Sequence, residues 1–167
     1  CWSLVGSEMC IRDRVIGGIT WFFEVALDLP GIGILAAFLT FMILASMIAI
    51  YRAGLIRWDR NLAIAVYSSM FAIILIYIFS IIGAVTGLFR VPYIHDATPV
   101  GIAFSLFVVG IGALCLVADF DFIERGVQMG APKQLEWRAA FGLMVTLIWL
   151  YLEILELLAK IAIYSRR

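Results

Sequence analysis

Charge is what this sequence has least of. Asp, Glu, Lys and Arg make up only 14% of its 167 residues, where a water-soluble domain carries about a quarter. Basic excess is missing too: twelve Lys and Arg balance twelve Asp and Glu, so no positive surface argues for a nucleic-acid partner. There is one histidine, His95, in a polar stretch. Nucleophilic triads and histidine-ligated metal sites therefore lack their parts. Three cysteines are too few for the scaffold of a disulfide-rich secreted domain, and Cys115, inside an apolar run, reads as a small buried hydrophobe. No Gly-rich phosphate loop and no EF-hand spacing is present, and no Gly-Asp motif on a second helix supports an intramembrane aspartyl protease. The sequence reads as a non-enzyme, with no cofactor.

What remains is overwhelmingly apolar: 65% hydrophobic residues and a mean hydropathy of +1.09. Five apolar segments stand out, at 15–29, 31–51, 62–89, 98–118 and 139–164. The middle three and the last reach the roughly twenty residues that a membrane-spanning helix needs, and the first falls short. None shows the strict alternation of a membrane β-barrel strand. The expected fold class is all-α, a polytopic membrane helix bundle whose first partner is the lipid bilayer.

Lys and Arg placement predicts the orientation. Arg52, Arg57 and Arg60 put the connection after the second segment in the cytoplasm, the poorly basic 90–97 goes outside, and a connection over 119–138 with Arg125, Lys133 and Arg138 returns to the cytoplasm. The tail then emerges outside with two arginines, against the same rule, unless the last segment is not a simple span. Gly83 with Gly87, and Gly110 with Gly112, are small residues suited to close helix approach in lipid.

Ionisable residues within apolar segments are costly and informative. Five qualify: Glu24, Asp119, Asp121, Glu153 and Glu156. Glu153 is the sharpest, about 21 Å into its segment at 1.5 Å per residue, flanked by WLYL and ILELL. A carboxylate at that depth is desolvated, which makes it a candidate proton-sensing group. Glu156 has Lys160 four residues later, the favourable order for a helical ion pair. Asp121 has Arg125 in the same relation, and Asp119 points to another face. Oxygen ligands of this kind suit hard cations such as calcium.

The last fifty residues carry a resemblance. LVADFDFIERGVQMGAP followed by EWRAAFGLMVTLIWLYLEILELL, together with PGIGILAAFLTFMILASMIAIYRAGLIR upstream, resembles the bacterial YccA-type branch of the Bax inhibitor-1 family over about residues 17–165. The resemblance implies a seven-helix bundle with its last helix in the middle, of which about five hydrophobic helices are represented here. It further implies a pH-sensitive calcium leak channel of the bacterial inner membrane, with calcium as the transported ion. Two acidic side chains on the last two helices would share a proton and gate the path. The first would be Asp121, with Asp119 as the other possibility, and the second Glu153. Glu24, Glu156, Arg125 and Lys160 are supporting candidates, and a calcium pathway would run near Asp121 and Glu153. The alternative function is a non-transporting regulator that binds a membrane protease.

Geometry sets a condition on the shared proton. With a turn near Ala131 and two continuous helices, Asp121 and Glu153 stand about 18 Å apart along the axis. They meet only if 122–138 is broken, which Gly126, Gly130 and Pro132 would permit.

The opening stretch reads differently. CWSLVGSEMCIRDR has neither the apolar core of a signal peptide nor the stripe of an amphipathic anchor, and Cys1 and Cys10 lack the companions of a metal site. LVGSEMCIRDR resembles the conceptual translation of a transposon-type sequencing adapter. Residues 1–14 are therefore expected to lie outside the fold, with 15–167 forming a Bax inhibitor-like transmembrane domain that lacks its first helices and the basic residue they would bring to the acidic pair.

Overall fold

A computed structural model describes residues 4–28, 30–56, 59–87 and 97–166. Cys1, Arg57 and His95, named above, lie outside the described residues. Among these residues five helices follow in chain order: α1 (Leu4–Leu27), α2 (Ile32–Arg52), α3 (Arg60–Thr86), α4 (Pro99–Gln128) and α5 (Lys133–Ser165). There is no strand among the described residues. Four of the helices, α2 to α5, are long and apolar enough to cross a membrane. The chain is an all-α polytopic helix bundle, as its runs of apolar residues predict.

Local chemistry sets most of the helix ends. α4 starts at Thr98–Pro99, where the Thr98 hydroxyl accepts the Gly101 N–H at 3.2 Å and Pro99 occupies the first turn, where its missing N–H costs nothing. α3 stops at Gly87, whose φ of 67° lies in the left-handed region that favours glycine. That residue ends the helix instead of packing in it, so only Gly83 of the expected pair is buried. α1 hands over to α2 through Glu24, whose Oε1 accepts the N–H groups of Gly31 at 3.2 Å and Gly33 at 3.4 Å. These are donors that the first turn of a helix cannot satisfy internally.

The largest departure from the sequence reading is at 119–138, expected to be a connection. It is almost entirely helical, and the turn is confined to 129–132. Helical ion pairing explains the difference. Asp121 and Arg125 sit four residues apart and form a bridge of 2.7 Å, and Gln128 donates to Glu124 at 3.4 Å. The polar string thus supports its own helix beyond the apolar run. α5 likewise begins six residues before its apolar segment, and its 33 residues extend about 50 Å, well beyond a hydrocarbon core of about 30 Å. α1, expected to begin near residue 15, already starts at Leu4. Cys10 is disulfide-bonded, and Cys115 is a buried free thiol, as its apolar surroundings predict.

α5 sits in the middle, touching α1, α2 and α4, while α4 touches α2, α3 and α5. Among the described residues, the backbone of α3 runs close to α4 alone, and α3 reaches α5 through the Tyr77 side chain. One apolar core joins Ile32 and Ala36 to Val109, Leu116, Leu150, Ile154 and Leu155. A second, smaller one packs Val66 and Ile73 against Val108, Ile111 and Cys115. Large side chains such as Phe41, Phe71, Phe79, Ile81 and Val85 point outward, which suits a bilayer and would be a liability in water. At one end, Tyr51 of α2 donates to the Glu124 carboxylate of α4, so the connection after α2 and the α4–α5 turn share a side, as the arginine count predicts. At the other end, Arg166 donates to the Asp28 carbonyl at 3.3 Å. The last segment is therefore one continuous helix whose tail ends opposite the α4–α5 turn.

Candidate functional site

The seam between α4 and α5 holds Ser105, Glu153 and Lys160, three buried polar side chains. On α5 the seam carries Gly142, Thr146, Trp149, Glu153, Glu156 and Lys160, spaced four, three, four, three and four residues apart. That spacing keeps them on one helix face, the stripe of a 3.5-residue repeat. On α4 the facing positions are Ser105, Gly112 and Asp119, each seven residues from the next. At Gly112 the helices pack tightly: a Cβ there would lie 2.9 Å from Leu150 Cδ1 and 3.7 Å from Trp149 Cζ3. This is the close approach expected from a mid-helix glycine in lipid, whereas the space beside Gly110 is open.

Glu153 is the best-hidden carboxylate among the described residues, only 6% exposed. Its Oε1 accepts the Tyr77 hydroxyl of α3 at 2.9 Å, and the Trp149 indole stands beside it one turn earlier. Its Oε2 is buried without a hydrogen-bond partner. Buried polar atoms are seldom left so. Asp119 has the same feature. Its Oδ2 is buried and unpartnered, while the Thr146 hydroxyl stands in hydrogen-bonding reach of its carboxyl and also donates to the Gly142 carbonyl at 3.0 Å.

Glu153 meets neither aspartate. Thr146, beside Asp119, precedes Glu153 by two helical turns, about 10 Å of axis. Asp121 is paired with Arg125 at 2.7 Å, the arginine more than half exposed. Asp121 also lines a cleft of about 910 Å³ with Arg52, Asp59 and Glu124 at the end of the bundle. The break in 122–138 that would bring the acids together is absent, because both helices run unbroken up to the 129–132 turn. Among the other candidates, Glu24 caps α2, and Lys160 bridges Glu156 at 2.8 Å.

Several partners escaped sequence reading. Tyr77, Thr146 and Ser105 are single hydroxyls in apolar runs, and Lys160 donates to Ser105 at 2.7 Å across the seam. Thr20 and Tyr151 also share a hydrogen bond of 2.8 Å between α1 and α5. The recurrence of Thr146, Glu153 and Lys160 at sevenfold intervals is the signal that would have placed them on one stripe. Among the described residues, no three His, Cys, Asp or Glu side chains gather as metal ligands.

The fold and this seam define the class: an integral, multi-pass helical membrane protein with ionisable groups in its interior. Residues 14–163 match the family model described as Bax inhibitor 1 like. The chain belongs to the Bax inhibitor 1-like family. No curated protein and no solved structure matches it.

Proposed function

We propose that this protein is a pH-sensitive cation leak pathway, for calcium in the bacterial inner membrane, controlled by the protonation state of Glu153. The observation that carries the reading is the orphaned Oε2 of Glu153, held in the interior beside an oxygen already engaged by Tyr77. A neutral carboxyl tolerates that position, whereas an ionised one calls for water, a cation or a rearranged helix. Asp119, two turns nearer the polar cleft and with an orphaned oxygen of its own, continues the same seam toward Asp121 and the bundle end. The reading assigns gating to separate acids along one stripe, not to a proton shared in direct contact.

Calcium flux into proteoliposomes between pH 6 and 8 tests it. Flux should rise with pH as Glu153 ionises, and Glu153→Gln, fixed in the neutral form, should leak slowly at every pH. A Gln variant that retains the wild-type pH profile sinks the reading.

A further inference from the structure

The cleft of about 910 Å³ at the bundle end holds more than Asp121. Its walls are the last turn of α2, the connection to α3 and the polar stretch of α4. α2 and α4 run in the same direction here, and both grade from apolar to charged. On α2 the lining passes from Ile48 to Arg52, and on α4 from Phe120 to Glu124. Each passage is four residues, about 6 Å of axis. The two gradients lie at one level, because Tyr51 donates to Glu124 and its ring stands 6.1 Å from that of Phe120. The apolar runs end there too, at Tyr51 and Ala118, which sets the cleft at the edge of the hydrocarbon, where amphipathic rings such as tyrosine collect.

The charges on the lining are of both signs. Arg125 bridges Asp121 and offsets it. Glu124 accepts from the uncharged Tyr51 hydroxyl and Gln128 amide, which leave its negative charge in place. Asp59 occupies the N-cap position of α3 without making a side-chain cap hydrogen bond. Arg52 brings a positive charge to the same cleft.

We propose that this cleft seats the headgroup of a zwitterionic aminophospholipid, phosphatidylethanolamine, from the leaflet on that side. Arg52 takes the phosphate, which its planar fork suits. Glu124 and Asp59 take the ammonium, whose three N–H donors match separate carboxylates. Ile48 and Phe120, one turn deeper, meet the start of the acyl chains, so the lipid and the cleft grade in the same direction. A choline headgroup has no N–H to donate, and a glycerol headgroup leaves an anionic lipid beside two carboxylates. The volume falls within the range of small-ligand sites. The proposal concerns lipid binding and stands apart from the leak reading.

The test uses the full chain, stripped of lipid in detergent and titrated with short-chain phosphatidylethanolamine, phosphatidylcholine or phosphatidylglycerol. Native mass spectrometry reads the bound fraction. Phosphatidylethanolamine should bind about tenfold more tightly than the other two, the scale of one hydrogen bond to a charged group. Glu124→Gln should remove that preference, and Arg52→Gln should weaken all three lipids alike, since each carries a phosphate. Asp59→Asn, at an exposed position, should reduce the preference and serves if Glu124→Gln folds poorly. Free phosphoethanolamine should bind far more weakly than the lipid, and equal binding would make the ligand a soluble amine and overturn the proposal. Equal affinity for the three lipids, a preference for phosphatidylglycerol, or a preference that survives both acid substitutions overturns it as well.

Discussion

α3 and α4 have nearly the same mean hydropathy, yet 56% of the most apolar window of α4 is buried inside the protein against 11% for α3. Both cross the same hydrocarbon, so the difference is not one of water avoidance. It lies in what each helix offers a neighbour. α4 presents Gly101, Ser105, Gly112, Ala113 and Cys115 among its buried positions, small residues that let α5 approach on one side and α3 on another. α3 buries Val66, Ile73, Ser80 and Gly83, the first three a single seven-residue seam, and turns its Phe and Ile side chains to lipid. In a bilayer, where lipid tails are as apolar as leucine, packing quality decides partnership.

The largest expected effect breaks that contrast directly. Leu116→Ala removes a fully buried side chain from the α4 core and should lower stability by about 2 kcal/mol or more. Ile74→Ala, on the exposed face of α3, should stay within about 0.5 kcal/mol. Unfolding midpoints in detergent check both, and equal losses would mean that the outward face of α3 is packed and not lipid-facing.

An intermediate effect sharpens the comparison at the point where α3 reaches the centre. Tyr77→Phe removes the hydroxyl that joins α3 to Glu153 and should cost about 1 kcal/mol. Hydrogen exchange should then accelerate over residues 60–86 while α4 stays protected. Faster exchange in α4 as well would show that the two helices move as one.

The smallest effect is expected at Asp121. Its partner Arg125 is largely exposed, and an exposed helical ion pair contributes about 0.3 to 0.5 kcal/mol. Asp121→Asn should therefore barely shift the unfolding midpoint. It should also leave the pH dependence of flux in place, in contrast to Glu153→Gln. A lost pH profile would return Asp121 to the centre of the gate.

Much of this architecture is legible from the residues themselves. The apolar runs mark α2 to α5, and the pairs Asp121–Arg125 and Glu156–Lys160 follow from four-residue spacing. The continuation of α4 through DFDFIERG is less legible, because an acidic string after a membrane run looks like the end of a helix. Its own i,i+4 partners keep it helical. The site is the least legible part. Glu153 stands out as an isolated acid, but nothing local marks Tyr77 as its partner 76 residues away in the chain.

The sequence by itself determined the membrane environment, the helices and the ion pairs within them, since hydropathy and helical period are properties of neighbouring residues. Only the tertiary structure decided that Asp119 faces Thr146, that Glu153 meets Tyr77, and that Lys160 reaches Ser105. Those contacts depend on the register of one helix against another. The register is set by the tight turn at 129–132 and by the close contact at Gly112. No acid or base on either helix encodes it alone.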